Sequence, residues 1–236
     1  MDSRRVAVDG HNAYPPPGYW TKAGGDRRSP AGRGSIDGVP DILWRAIPAG
    51  PDSQAFHIAA YPITFGQFRA FLDAKDGDDE LPQIEWQRGL PNHPVTHVSW
   101  FDATAFCRWL TLRLGFEVRL PDEPEWQWAA QSARPEFTYP WGKEWRDGFA
   151  NTRESDINRT TAVGMYPAGD SLQGASDLAA NVWEWCLNEE GESRVLGGGS
   201  WLNYLVNASA DSRDRDNPDY RNVYVGFRVV SSSPIR

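Results

Sequence analysis

The sequence predicts an α+β fold whose helices and strands are segregated along the chain. Two amphipathic helical patterns occur early, and no strand–helix alternation of the kind that builds a doubly wound sheet follows them. Twelve tryptophans, 22 glycines and 18 prolines in 236 residues indicate short antiparallel sheets and much irregular structure, held in place by large aromatic side chains. Long helical bundles and Rossmann-like sheets are therefore excluded.

Capping patterns followed by apolar periodicity predict two early helices. Thr64 is followed three residues later by a glutamine, and apolar residues then share one helical face, which predicts a helix over residues 64–75. Ser99 and Asp102 repeat the capping spacing at the start of a second apolar stripe. Gly115 is the residue type that ends a helix, so it marks the end of the second one.

The other elements are shorter. Asp122 and the proline that follows it predict a third, short helix that carries two tryptophans. Alternating apolar residues predict a strand over 116–120, and β-branched and aromatic residues predict strands near 42–44, 57–61 and 223–230.

Composition divides the chain and limits its partners. Residues 1–40 contain a run of three prolines and several glycines, which predicts an extended arm or linker in front of a domain over 41–236. The net charge of −8 disfavours a nucleic-acid partner, and no apolar run is long enough for membrane insertion. Without a secretory signal, a cytoplasmic location is expected.

Five sequence motifs carry a family resemblance. They are YPITFGQF at 61–68, NHPVTHVSW at 92–100, RLPDEPEW at 119–126, NVWEW at 181–185, and GGSW at 198–201 together with GFR at 226–228. In this order and spacing they resemble the formylglycine-generating-enzyme, or sulfatase-modifying-factor, family over residues 42–230. The resemblance implies the C-type-lectin-like fold of that family.

The resemblance also bears on catalysis. The enzyme members oxidise a substrate cysteine with a pair of thiols that bind copper shortly after the Gly-Gly-Ser motif. Here residues 201–225 contain no cysteine, and the expected thiol positions hold Asn203 and Ala208. We therefore expect no oxidase activity and no copper. Cys107 and Cys186 are interpreted as buried small apolar residues, although an oxidase that uses them with an altered metal centre stays an alternative.

The carboxy-terminal segment, residues 199–230, also resembles the variable region of diversity-generating-retroelement proteins, which use the same fold. In those proteins a reverse transcriptase misreads template adenines and diversifies a ligand-binding surface. The resemblance implies the following variable, ligand-binding positions: Leu202, Asn203, Tyr204, Val206, Asn207, Ser212, Asp214, Asp216, Tyr220, Asn222, Val223 and Tyr224.

The residue types in this segment favour binding on physical grounds as well. Three tyrosines lie among asparagine, serine and aspartate, and such mixtures of rigid aromatic rings with short hydrogen-bonding groups form antibody paratopes. Arg213, Arg215 and Arg221 are interleaved with aspartates. They either brace the segment through charge-assisted hydrogen bonds or form a solvated face.

A calcium site is implied by the resemblance alone. The matching loop of the related enzymes binds calcium, and its ligands would be Asp177, the carbonyl oxygens of Ala180 and Val182, and Glu184. Hard oxygen ligands suit a structural calcium ion. Because Ala180 stands where the family usually has glycine, a metal-free loop that is braced by hydrogen bonds is the alternative.

Together these observations predict a non-catalytic protein that binds an unknown ligand, a protein or another macromolecule, through its carboxy-terminal surface. An interaction module of a larger signalling protein is a further alternative, because the proline-rich arm is suited to joining another domain.

Overall fold

The computed structural model describes residues 32–74 and 90–232. Three helices and nine short strands lie within these residues. The helices are α1 (Phe65–Ala74), α2 (Trp100–Leu114) and α3 (Glu123–Ala130). The strands are β1 (Ser35–Ile36), β2 (Val39–Pro40), β3 (Trp44–Ile47), β4 (Phe56–Ala59), β5 (Trp183–Glu190), β6 (Ser193–Gly197), β7 (Arg213–Asp216), β8 (Val225–Gly226) and β9 (Val230–Ser231).

The helices confirm the capping predictions. At the start of α2 the Asp102 backbone N–H donates to the Ser99 hydroxyl at 3.1 Å, and the Ser99 N–H donates to the Asp102 carboxylate at 2.8 Å. Gly115 ends α2 in the left-handed conformation with a φ of 75°. No helix among the described residues combines the length and the apolar content that a membrane span requires.

The strands form two small sheets and a hairpin. In the first sheet β4 lies between β3 and β9, and all pairings are antiparallel. The second sheet has the order β7-β6-β5-β8, in which β5 pairs in parallel with β8. The strands β1 and β2 pair only with each other. This mixed, irregular α+β architecture confirms the predicted fold class.

The predicted strand over 116–120 is wrong. Only an isolated bridge between Arg119 and Val230 forms there. The Thr111 hydroxyl of α2 satisfies both backbone polar groups of Val118: it accepts a hydrogen bond from the Val118 N–H and donates one to the Val118 carbonyl oxygen. A helix side chain thus replaces the missing strand partner.

The strand predicted near 223–230 also needs correction. It is divided into β8, which pairs with β5, and β9, which pairs with β4, so the chain passes here from one sheet to the other. Residues 32–40, assigned to the arm, pack on the start of α1, where Gln67 donates to the Gly32 carbonyl and Thr64 to that of Arg33. Residues 1–31 of the predicted arm lie outside the described residues, and the domain boundary at residue 41 stays a prediction.

The core lies on both faces of β5. Adjacent strand residues point to opposite faces, so Trp185 enters the cluster that contains α1 and α2, whereas Cys186 enters the cluster beside α3. The first cluster is dominated by stacked and edge-on phenylalanine rings, such as Phe68 and Phe106 with centroids 5.7 Å apart. Strand β5 is thereby held from both sides and positions the segments that follow it.

Candidate ligand-binding surface

A buried ion pair fixes the base of the candidate site. Arg228 and Glu184 are both fully buried, and two hydrogen bonds of 2.6 and 2.7 Å join the guanidinium to the carboxylate. The Trp126 indole donates to the same carboxylate at 2.7 Å, and Arg228 also donates to the carbonyl oxygens of Ala59 and Ser176. Because every polar atom of the pair has a partner, the ion pair ties β5, α3 and the Gly-Phe-Arg motif together.

Three of the four proposed calcium ligands are engaged in hydrogen bonds in this arrangement. Both carboxylate oxygens of Glu184 are held by the buried guanidinium. Burial raises the pKa of Asp177 to about 6, and its carboxylate accepts a hydrogen bond from the Gly164 N–H at 2.7 Å. The Ala180 carbonyl oxygen accepts from the Val182 N–H at 2.9 Å. These contacts favour the hydrogen-bonded loop, and the calcium assignment stays an untested prediction.

We call the ion pair of Glu184 and Arg228 the buried frame. The recognition segment, residues 202–224, lies between these two residues in the sequence, and most of it is at the surface. None of the twelve candidate ligand-binding positions is buried. Five of them are exposed, namely Leu202, Tyr204, Val206, Asn207 and Asp214. Seven are half-buried, namely Asn203, Ser212, Asp216, Tyr220, Asn222, Val223 and Tyr224.

The apolar turn, which we define as Leu202, Tyr204 and Val206, has the largest exposed apolar side chains of the segment. Their exposed fractions are 43%, 54% and 69%, respectively. Two residues brace the turn from the neighbouring loop: the carboxylate of Glu154 accepts from the Leu205 N–H at 3.0 Å, and the Arg153 guanidinium lies 5.0 Å from the centre of the Tyr204 ring.

Asn203 behaves differently from its neighbours in the turn. Its side-chain oxygen accepts hydrogen bonds from the Trp183 indole at 2.9 Å and from the Ser200 hydroxyl at 2.6 Å. Its carbonyl oxygen accepts from the Arg153 N–H at 2.9 Å. These bonds anchor the turn to β5. At the second expected thiol position, Ala208 is buried with 1% exposure.

The arginines of the segment are braced by carboxylates from elsewhere in the chain. Arg213 and Arg215 both pair with Glu190, at 2.7 Å for Arg213. Arg221 pairs with Asp102 of the α2 cap at 2.9 Å. The bracing interpretation is therefore favoured, but the sequence pattern had suggested the neighbouring aspartates as partners. Nothing in the local sequence marks Glu190 or Asp102 as the actual ones.

The two cysteines lie away from the recognition segment. Cys107 is buried on α2 and Cys186 is buried on β5, in different core clusters. Burial raises the pKa of both thiols well above the usual value, so both are protonated at neutral pH. Since the thiolate is the nucleophile and the metal ligand, neither residue is prepared for oxidase chemistry.

Comparison with known proteins identifies the family. Residues 45–233 match the Sulfatase-modifying factor enzyme 1-like domain, and the chain therefore belongs to this family. It is 34% identical over 182 residues to a formylglycine-generating enzyme of Streptomyces coelicolor. This match covers 62% of this chain and 55% of the relative.

Two further relatives extend the comparison. The chain is 30% identical over 235 residues to the serine/threonine-protein kinase Pkn1 of Chlamydia trachomatis, covering 84% of this chain and 36% of the kinase. The chain thus spans about half, or less, of the length of these curated relatives.

Among solved structures, variable protein 1 of Treponema denticola superposes with a TM-score of 0.62 at 20% identity, covering 81% of this chain and 92% of that protein. This likeness concerns the fold.

Proposed function

We propose that the protein is a non-catalytic member of the family that binds a macromolecular ligand through the recognition segment. The observation that carries the proposal is the apolar turn. Three large apolar side chains, Leu202, Tyr204 and Val206, are exposed within five consecutive residues, none of which is charged. Contiguous exposed apolar side chains with a polar surround are typical of interaction sites.

The bracing of the turn supports the same proposal. Ordering a loop on binding costs free energy, and a loop that is already ordered avoids most of that cost. Asn203 and Glu154 hold the backbone of the turn from behind. The exposed side chains are therefore presented on a backbone that need not change when a ligand binds.

The absence of a thiol pair supports a non-catalytic role. Asn203 and Ala208 occupy the expected thiol positions, and the amide of Asn203 is committed to Trp183 and Ser200. Oxidation of a cysteine-containing peptide by the wild-type protein, lost in Cys107→Ala or Cys186→Ala, would instead support the alternative oxidase.

Retroelement diversification of the segment is part of the proposal. The fold likeness to a variable protein of Treponema denticola and the surface position of all twelve candidate residues support it. The test is the neighbouring DNA: a reverse transcriptase and a near-copy of the codons for 199–230, with adenines at the diversified positions, are expected. A locus without either would contradict diversification and leave the binding proposal standing.

A module of a longer signalling protein is a second, compatible candidate. The match to Pkn1 covers most of this chain but about a third of that kinase, so the fold occurs there within a longer polypeptide. In such a setting the recognition segment would supply ligand binding for another domain.

A peptide selection tests the binding proposal. Random peptides displayed on phage are selected on the immobilised protein, and the enriched peptide is synthesised. We expect Val206→Asp to weaken its binding by about tenfold or more, because a charge would be desolvated in the contact. Leu112→Asp on α2 is the matched control, since Leu112 is also apolar and 84% exposed. No enrichment over a blank surface, or equal effects of both variants, would contradict the proposal.

A further inference from the structure

Two tyrosines form a hydrogen-bonded cluster near the apolar turn. The hydroxyl oxygens of Tyr220 and Tyr224, here called the hydroxyl pair, are 2.8 Å apart. The Asn222 side chain donates to the Tyr220 oxygen. Both rings pack against the core, and both side chains are half-exposed. The hydroxyl groups are therefore held in place at the surface.

The orientation of the Asn222 amide follows from its other contact. Its Oδ1 atom accepts a hydrogen bond from the Val223 N–H at 2.7 Å. Only the oxygen of the amide can accept, so the NH₂ group faces Tyr220. An NH₂ group donates and cannot accept. The Tyr220 oxygen consequently accepts from Asn222, and the cluster gains no acceptor from that side.

Counting hydrogens shows what the cluster offers to a ligand. Two phenols carry two hydroxyl hydrogens, and the single contact between them uses one. Among the described residues, no other acceptor bonds to either hydroxyl. Whichever tyrosine donates to the other, one O–H remains for solvent or ligand. Because hydrogen bonds in a chain polarise one another, this remaining donor is strengthened.

The surrounding charges limit the kind of acceptor. Burial, followed by the Tyr220 hydroxyl and then by the carboxylates of Asp216 and Asp214, raises the pKa of Tyr224 to about 12. The phenol therefore stays protonated at neutral pH. The nearest arginines of β7 are paired with Glu190. Arg221, which is next to Asn222 in the sequence, is paired with Asp102. An anionic acceptor would thus meet two carboxylates, while the three arginines of the recognition segment are already paired with other carboxylates.

We propose that the hydroxyl pair is the subsite that binds a neutral hydrogen-bond acceptor, the amide carbonyl of a protein ligand. The inference rests on the proposed function, since it names the chemistry recognised by the same surface. Trp183 connects the two parts: its backbone N–H donates to the Tyr224 carbonyl oxygen and its indole to Asn203, each at 2.9 Å. The apolar turn contributes contact area, and the hydroxyl pair contributes polar specificity.

The first test uses N,N-dimethylacetamide, a neutral acceptor without a donor, and sodium acetate at equal ionic strength. Protein with ¹³C-labelled tyrosine rings is titrated with each probe and followed by NMR. We expect saturable shifts at Tyr220 and Tyr224 with dimethylacetamide, about fivefold weaker binding of acetate, a difference of roughly 1 kcal/mol, and no saturable shift at Tyr204. Parallel shifts at Tyr204, or tighter binding of acetate, would overturn the proposal.

The second test uses the hydrogen count. Tyr220→Phe and Tyr224→Phe each leave one hydroxyl hydrogen, so each single variant is expected to bind dimethylacetamide within about twofold of wild type, a change of less than 0.5 kcal/mol on the scale of about 1.4 per tenfold. The double variant has none, and the shifts at the backbone amides of 220–224 should be lost. Undiminished binding by a folded double variant would overturn the proposal. The first test stands on the wild-type protein if the double variant does not fold.

The two proposals fail in distinguishable ways. If the selected peptide depends on Val206 but dimethylacetamide does not bind at the hydroxyl pair, the subsite assignment is wrong and the binding function stands. If dimethylacetamide binds as expected but no peptide depends on Val206, the proposed function fails and the acceptor site remains as a property of the surface.

Discussion

The buried frame and the recognition segment use similar residue types for different purposes. In the frame, Arg228 and Glu184 have no exposed surface, and every polar side-chain atom of the pair has a hydrogen-bond partner. In the segment, Arg215 and Tyr204 are mostly exposed. The frame carries the family motifs, whereas the segment lacks the family's thiols. The buried frame thus carries the family resemblance, whereas the proposed binding function depends on the surface segment.

The largest expected effect comes from breaking the buried ion pair. Glu184→Gln leaves the guanidinium of Arg228 buried without a counter-charge, and we expect a loss of about 3–5 kcal/mol of unfolding free energy. Urea denaturation of wild type and variant measures the loss. Glu136→Gln is the control, because Glu136 forms an exposed pair with Arg134 at 3.9 Å and such pairs contribute about 0–1 kcal/mol. Equal losses in both variants would contradict the importance of the frame.

Acid should destabilise the folded protein through the buried His93. Burial, followed by the charge of Arg159, lowers the pKa of His93 from 6.5 to about 4. The unfolded state then binds more protons between these values, so the contribution is present above pH 6.5 and is lost as the pH falls towards 4.

The His93 contribution is measured as a difference between proteins. Over that interval wild type should lose roughly 3 kcal/mol more than His93→Gln, from about 1.4 kcal/mol per pKa unit. The comparison removes the contributions of other groups that titrate in the same range. Identical pH profiles of the two proteins would contradict the assignment.

Asn203 and Asn207 test whether hydrogen-bonded and exposed residues of the recognition segment contribute differently to stability. Asn203→Ala removes the acceptor of the Trp183 indole and should cost about 1–3 kcal/mol, because the donor of a buried tryptophan is left without a partner. Asn207 is exposed, and Asn207→Ala should stay within about 0.5 kcal/mol of wild type. Thermal unfolding of both variants tests the difference. A larger loss for Asn207→Ala would reverse the assigned roles.

The sequence predicts the features that depend on neighbouring residues. The cap of Ser99 and Asp102 and the terminating Gly115 lie within a few positions of the helix that they bound, and all are observed. Pairings between distant residues are a different matter. The Thr111 hydroxyl displaces a strand partner from Val118, and no local pattern predicts this.

The same limit applies to the candidate site. The family resemblance placed Asn203 among the ligand-binding positions, yet its side chain bonds to Trp183, twenty residues earlier in the chain. The brace between Arg221 and Asp102 joins residues 119 positions apart. Exposure of the apolar turn follows from its position after the Gly-Gly-Ser motif, whereas the hydroxyl pair depends on a turn geometry that composition does not reveal.

A triple substitution in the apolar turn tests the central claim most directly. In one variant Leu202, Tyr204 and Val206 are all replaced by serine, and thermal unfolding and binding of the selected peptide are measured together. We expect Tm to change by no more than about 4 °C, which corresponds to roughly 1 kcal/mol for a domain of this size, and peptide binding to weaken by about tenfold or more. Cooperative unfolding at a much lower temperature, or unchanged peptide affinity, would contradict the claim that the apolar turn binds the ligand and can be changed without destabilising the fold.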